Sequence, residues 1–448
     1  MLCINVALVQ LLWDVSMDIL SLRRGRAPNC SSGGSVIGLA LLSASAASSV
    51  LAFWAQRLMV HRSNSTDSEP PNLRPEEFGS IVQLENPPGR VFIGNSTTFP
   101  LTEHLSSPTE VHLNLTKRCP VQCSNCYLDA GPSGEHASLE AVKEDLQQLK
   151  ESGVFEVALG GGEVLLSPHW REIAAHAKEA GLIVNLTCSG FGVTSRNAQE
   201  IARTFGQINL SLDGLGEDYQ RSRGWNGANV GLRALRLLRQ AGARVGVNTV
   251  LTKPLFPDGL RRLGELLLSE GISDWQWLRL KPQSRAQEGY LEQRLTAAQR
   301  AELWPLTLEF ERNGLTIRWD CAMVPFLAHH AEDQAVNGIT AARARQLGVV
   351  GCVGGERLLA RGVDGTLSPC SFVSGQRHFQ SISEHWQEDS TLNQWRNLAK
   401  DPPEPCLSCS FQSVCRSGCR VVSAHLTGQA LNPDPECSRV IEWQASQP

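Results

Sequence analysis

From Val111 onward the chain alternates short apolar runs with longer amphipathic ones. Val111, Leu113 and Leu115 recur at every second position, the period of a half-buried strand. Further strand-like runs are predicted at 155–159, 182–187, 208–212, 245–251 and 275–280. Between them, apolar residues at helical spacing predict helices at 139–151, 169–180, 195–204, 229–240 and 259–269. With the first strand this makes six βα units, the pattern of a parallel sheet with crossover helices. Six units are too few to close an eight-stranded barrel. The expected fold is therefore α/β, a partial (β/α)6 barrel with its chemistry at the carboxyl ends of the strands.

Ahead of this core, two apolar runs flank Asn86-Pro87-Pro88-Gly89 and predict a β-hairpin. Its plain role is a ribbon covering a sheet edge; its functional alternative is an edge that docks an extended peptide. Residues 63–75 are polar and Pro-rich, a linker. Residues 36–55 are uncharged and follow Arg23, Arg24 and Arg26. Their length, about 20 residues, suits a signal or membrane anchor, although Ser and Ala dilute the run. The other reading is an over-extended start, with translation beginning at Met59.

Composition narrows the class. The chain has 448 residues, 42% of them hydrophobic, and a formal net charge of -4. That balance gives no electrostatic footprint for nucleic acid. Its 14 cysteines cluster in short-spaced runs of a long chain, which favours metal ligation in a reducing compartment over a disulfide framework.

The first run follows the strand that ends at Thr116 and places Cys119, Cys123 and Cys126 in a C-x3-C-x2-C loop before Tyr127. Three thiolates on one loop can hold three irons of a 4Fe-4S cubane and leave the fourth open to a small molecule. A zinc knuckle is the alternative, but it wants a fourth ligand, and neither Asn114 nor Asp129 is a convincing one. The second strand ends in Gly160-Gly161-Gly162-Glu163, where glycines permit close backbone approach and the carboxylate can pair with an ammonium. The fourth ends Ser211-Leu212-Asp213-Gly214, followed by Arg223-Gly224. The third ends Thr187-Cys188-Ser189-Gly190, with Cys188 read as a buried small residue. Beyond Trp319 come Cys352, Gly365 and Cys370, then Cys406-x2-Cys409-x5-Cys415-x3-Cys419, and finally Cys437.

The cysteine loop, the GGE turn, the SLDG segment and Arg223-Gly224 together resemble the radical S-adenosylmethionine (SAM) enzymes. The later seven-cysteine order resembles the SPASM extension of their peptide maturases, and Arg74-Pro75-Glu76-Glu77-Phe78-Gly79 resembles a lead-in found before some of them. The resemblance implies a radical SAM barrel followed by a small cysteine-rich SPASM domain, with 4Fe-4S clusters and S-adenosylmethionine as cofactors. It implies that Cys119, Cys123 and Cys126 hold the SAM-binding cluster. Tyr127, Gly161, Gly162 and Glu163 would meet SAM, and Ser211 and Arg223 its ribose and carboxylate. Cys406, Cys409, Cys415 and Cys437 would hold one auxiliary cluster, and Cys352, Cys370 and Cys419 another. Its fourth position is open between Cys321 and a non-protein ligand. In the sulfatase-maturing branch Asp follows the position of Cys370; here Ser371 stands there, which points away from sulfatases.

The implied reaction is reductive cleavage of SAM to methionine and a 5′-deoxyadenosyl radical, which takes hydrogen from a ribosomally made peptide. The implied partners are that peptide, a peptide-recognition protein, and an electron donor such as flavodoxin or ferredoxin, in the cytoplasm. The expected domains are 1–72, 73–105 for the hairpin, 106–320 for the barrel, 321–345 as a bridge and 346–448 for the SPASM domain. Two alternatives stay open: oxidation or decarboxylation of a small cofactor precursor, and a non-catalytic iron–sulfur or zinc protein that binds a peptide.

Overall fold

A computed structural model describes residues 2–5, 73–76, 79–85, 88–94, 104–330, 338–375 and 379–447. The uncharged run 36–55 and Met59 lie outside these residues. No helix among the described residues is long and apolar enough to cross a membrane. The chain divides into two compact units, residues 1–101 and 102–448.

The first unit is a four-stranded sheet. Strands β1 (Leu2–Asn5), β2 (Leu73–Glu76), β3 (Gly79–Glu85) and β4 (Pro88–Gly94) are ordered β1-β4-β3-β2. The hairpin expected around Asn86–Gly89 is β3 against β4, antiparallel from Gly79↔Gly94 to Glu85↔Pro88. Both of its strands have a neighbour on the other side, so β1 and β2 are the edges of this sheet.

In the second unit six parallel strands follow in sequence order: β5 (Glu110–Thr116), β6 (Glu156–Gly161), β7 (Ile183–Cys188), β8 (Ile208–Ser211), β9 (Val245–Leu251) and β10 (Asp274–Arg279). Helices α1 (Leu139–Glu151), α2 (Trp170–Glu179), α3 (Ala198–Thr204), α4 (Gly216–Arg223), α5 (Ala228–Gln240) and α6 (Asp258–Ser269) connect them. These are the expected βα units, with ends moved by a few residues. Helix α4 is an addition: its sequence is mostly charged and shows little apolar stripe.

The alternation continues further than expected. After α7 (Tyr290–Gln293), helix α8 (Ala297–Arg312) opens with a capping box between Thr296 and Gln299 and leads to β11 (Thr316–Trp319). Strand β11 lies parallel to β10, with Trp277 opposite Trp319. At the other edge β12 (Leu358–Arg361) pairs in parallel with β5 and antiparallel with β13 (Leu367–Ser368). The nine-stranded sheet is open, in the order β11-β10-β9-β8-β7-β6-β5-β12-β13.

The two faces of this sheet differ as the period-two pattern dictates. Val111, Leu113, Leu115, Val157, Leu159, Leu186, Val247, Trp275 and Trp277 are buried in one continuous core with the helices. Residues between them, such as Glu110, His112, Glu156, Asn185, Asn209 and Ser211, are half-exposed on the opposite, open face. The cysteine-rich segment is tied onto this sheet. Arg361 of β12 and Asp145 of α1 form a buried ion pair at 2.5 Å. A second apolar cluster joins Leu280, Tyr290 and Ala322 to Cys419, Val421 and Val422.

Candidate active site

The cysteine loop leaves the carboxyl end of β5 and folds back on itself. The Cys119 N–H donates to the Gly131 carbonyl at 2.9 Å, and the Ala130 N–H to the Cys126 sulfur at 3.4 Å. Arg285, beyond β10, clamps the loop from outside. Its guanidinium donates to the carbonyls of Cys123 (3.0 Å) and Ala130 (2.7 Å) and to the Asp129 carboxylate (2.8 Å). Burial, with smaller contributions from Glu163, Cys123 and Cys126, pushes the Cys119 thiol up to about 11 against the Val121 N–H. A thiol so placed ionises readily only against a metal.

The GGE turn packs under this loop. The Gly162 N–H donates to the Thr116 carbonyl (2.6 Å) and the Glu163 N–H to the Arg118 carbonyl (2.9 Å). Glycine is required at both positions. Gly161 has φ +126, and a Cβ on it would lie 2.4 Å from the Thr116 oxygen; one on Gly162 would lie 2.4 Å from the Arg118 oxygen. Glu163 is fully buried. Its Oε2 accepts from the N–H (2.9 Å) and hydroxyl of Ser189, while Oε1 has no hydrogen-bond partner among the described residues. Burial raises the pKa of this carboxyl above its ordinary value, and the Ser189 hydroxyl with the N–H groups of Ser189, Leu165 and Phe191 opposes the rise only in part. An orphaned carboxylate oxygen below the cysteine loop is what the ammonium of an amino acid would satisfy.

Ser211 ends β8 on the open face. Arg223, the last residue of α4, is not a solvated charge like its neighbour Arg221. Its side chain is only 13% exposed, with Nε 2.8 Å from the Asp213 carboxylate and Nη1 3.9 Å from the Cys123 sulfur. Asp213 also accepts from Asn125 Nδ2 (3.1 Å) and the Val250 N–H (2.8 Å). Asp213 is thus the hub joining the SLDG segment to the cysteine loop. The motif placed it at a strand end, but nothing local to it announces its partners. The Tyr127 hydroxyl donates to Asn114 Oδ1 at 3.2 Å, and the ring packs on Phe372 with centroids 4.5 Å apart. The aromatic beside the first cysteine loop therefore meets the segment that follows Cys370.

The later cysteines gather in two groups. Cys415 is pushed well up by burial and then by Cys437, Cys406 and Cys409 around it. Cys370 is pushed up to about 12 by burial, with Cys352 and Cys419 adding and Lys281 opposing. Cys321 is raised by burial, Asp320, Cys352 and Cys370. The second group therefore holds Cys321 with Cys352, Cys370 and Cys419. Lys281 faces it, ion-paired with Asp320 and 4.3 Å above the Phe372 ring. The cysteines from Cys119 to Cys437 are all free. Among the described residues no three His, Cys, Asp or Glu side chains close round a single ion. A cubane does not ask for that, since each thiolate takes its own iron. The thiol donor sets and the orphaned Glu163 oxygen fit iron–sulfur clusters with SAM.

Comparison with known proteins agrees with this geometry. The family model described as the radical SAM superfamily matches residues 113–267. PqqA peptide cyclase of Bradyrhizobium diazoefficiens is 26% identical over 351 residues, covering 75% of this chain and 87% of its own. AdoMet-dependent heme synthase of Methanosarcina barkeri is 25% identical over 347 residues, covering 74% and 97%. Among solved structures, Streptococcus suis SuiB bound to precursor peptide SuiA superposes with a TM-score of 0.64 at 14% identity, covering 82% of this chain and 99% of SuiB. The chain carries a radical SAM domain, and it is an enzyme of the kind that works with a 4Fe-4S cluster and S-adenosylmethionine.

Proposed function

We propose that this enzyme modifies a ribosomally made peptide, closing a carbon–carbon, thioether or related bond by radical chemistry. The observation that carries the reading is a radical SAM domain followed by cysteines that lie near one another in two sets, in a chain similar over most of its length to a peptide cyclase. SuiB, of similar fold, is seen with its precursor peptide.

Cys119, Cys123 and Cys126 would hold the SAM-binding cluster. Cys406, Cys409, Cys415 and Cys437 would hold one auxiliary cluster, and Cys352, Cys370, Cys419 and Cys321 the other. When bound and reduced, the SAM-binding cluster would supply the one electron that cleaves SAM to methionine and a carbon radical able to take a hydrogen atom from the substrate. Glu163 would receive the SAM ammonium. The Arg223–Asp213 pair fixes the cysteine loop against β8, Ser211 would meet the ribose of SAM, and the Tyr127–Phe372 contact would cover the loop from water.

A second reading, oxidation or decarboxylation of a small cofactor precursor, is favoured by the heme synthase relative. The open face weighs against a substrate carrying several negative charges. Glu110 and Glu156 stand half-exposed on β5 and β6, and Lys281, the cation that acts on His112 beside them, is paired with Asp320.

The test uses protein reconstituted anaerobically with iron and sulfide, then given SAM, dithionite and synthetic peptides encoded by the short reading frames flanking the gene. Wild type should form 5′-deoxyadenosine and a peptide lighter by two hydrogens, and Cys126→Ala should form neither. Deoxyadenosine without any modified peptide would move the assignment to the small-molecule reading.

A further inference from the structure

We propose that Glu110, His112 and Ser371 form a proton relay on the open face of the sheet, with His112 as the base for the proton that the substrate gives up as it is oxidised. The proposal rests on the functional reading above.

His112 lies in the middle of β5, and its side chain is 36% exposed. Its Nε2 is 3.1 Å from Glu110 Oε1 and its Nδ1 is 3.1 Å from Ser371 Oγ. An ionised carboxylate can only accept, so Nε2 carries the hydrogen and Nδ1 is left to accept from the Ser371 hydroxyl. A base oriented by a carboxylate and touching a hydroxyl is the arrangement that moves protons in other enzymes.

The serine comes from 259 residues away. It follows Cys370 directly, and Phe372 beyond it is held against Tyr127 and under Lys281. The hydroxyl is thereby fixed between the first cysteine loop and the Cys321 group, where a substrate crossing the open face would pass. A histidine placed only to pack would be covered on every side. This one keeps an open flank on the face that takes substrate.

The groups around the ring are Glu110 on its own strand, Glu156 on β6, Lys281 beyond β10 and Ser371; Ala360 stands beside it on β12. Burial lowers the ring's affinity for a proton and Lys281 opposes it as well. The hydrogen bond and charge of Glu110, with Glu156, outweigh both and leave it above 6.5.

The step balances as follows. The substrate first loses one hydrogen atom to the SAM-derived radical. As the new bond closes, it loses one proton and one electron. The proton goes to Ser371 Oγ while the serine's own proton goes to His112 Nδ1, leaving neutral serine and an imidazolium. The electron goes to an iron–sulfur acceptor, the class of oxidant the adjacent cysteines would hold. The product carries two hydrogens fewer.

Two measurements test this on the full chain. The first is carbethoxylation of His112 by diethyl pyrocarbonate against pH, read by peptide mass spectrometry. The midpoint should lie above 6.5 in wild type and fall in Glu110→Gln. The second uses the reconstituted enzyme with SAM and the flanking-frame peptides. His112→Gln and Ser371→Ala should keep deoxyadenosine formation within about twofold and lose modified peptide by at least about tenfold. The acid limb of product formation should follow the His112 midpoint and move to lower pH in Glu110→Gln. A midpoint at or below 6.5, or undiminished product in His112→Gln, overturns the relay alone. A wild type that forms no deoxyadenosine, or modifies no peptide, overturns the functional reading and takes the relay with it.

Discussion

Arg279 is where the barrel strands and the cysteine-rich segment are held together, and replacing it with Met should damage both stability and metal loading. Its Nη1 donates to Asp434 Oδ2 (2.6 Å) and the Ala322 carbonyl (2.7 Å), and its Nη2 to Asp434 Oδ1 (3.0 Å) and Glu436 Oε2 (2.7 Å). All three charged side chains are at most 5% exposed. Met keeps roughly the volume but leaves two carboxylates short of a cation. Breaking a buried pair from one side costs about 3–5 kcal/mol, because the remaining charge is uncompensated. Tyr290 and Arg294 still hold Glu436, so the loss falls mainly on Asp434 and stays within that range. For a unit of roughly 350 residues, an unfolding entropy near 2.1 cal/mol/K per residue converts the loss to a fall in Tm of about 4–7 °C. Asp434 also accepts the Cys419 N–H at 3.0 Å and offers its carbonyl to the Cys437 N–H at 3.1 Å. One cysteine of each proposed auxiliary set therefore depends on it, and iron per chain should drop while 5′-deoxyadenosine formation persists. The assay is thermal unfolding by circular dichroism on metal-free protein, with iron counted after reconstitution. Adding Asp434→Asn should recover part of the Tm, since the stranded charge is then gone. An unchanged Tm together with full iron in Arg279→Met would refute the reasoning.

Glu163→Gln should raise the SAM concentration for half-maximal deoxyadenosine formation by about 10- to 100-fold, the worth of one charged hydrogen bond of roughly 1.5–3 kcal/mol; an unaltered dependence on SAM would remove Glu163 from its binding site. Cys321→Ala should lower iron per chain and leave deoxyadenosine formation intact, and an iron count equal to wild type would show that Cys321 is not a ligand.

Strands β7, β8 and β10 were legible because each alternates between a buried and a half-exposed face, and β5 because its first half does so, with Val111 and Leu113 against Glu110 and His112; β9 is buried almost throughout and was legible as a continuous β-branched and apolar run. What escaped has a physical reason in each case. Helix α4 reads GEDYQRSR and buries only Asp218, Tyr219 and Ser222, so no apolar stripe announces it. Helix α8 carries Pro305 in its interior, and its apolar residues are spread around the axis. Strand β12 pairs with β5 across roughly 250 residues of chain, and no local pattern specifies a contact of that separation.

The candidate site divides along the same line. Cysteine spacing was readable because a loop that offers several thiolates must do so within a few residues, whatever the remainder of the chain does. Cys321 has no such neighbour, and its place follows from register instead. Strand β11 pairs with β10 so that Trp319 lies opposite Trp277, which delivers Asp320 and Cys321 to the end where β10 carries Arg279 and is followed by Lys281. Asp320 then accepts from the Arg279 N–H at 3.2 Å and pairs with the lysine. A cysteine set down there by an extra parallel strand meets Cys352 and Cys370, brought in from the opposite edge of the same sheet by β12 and β13. The second cysteine group is therefore assembled by the two edges of an open sheet together. Closing the sheet into a full barrel would have joined those edges to each other and left no place between them for a substrate to lie.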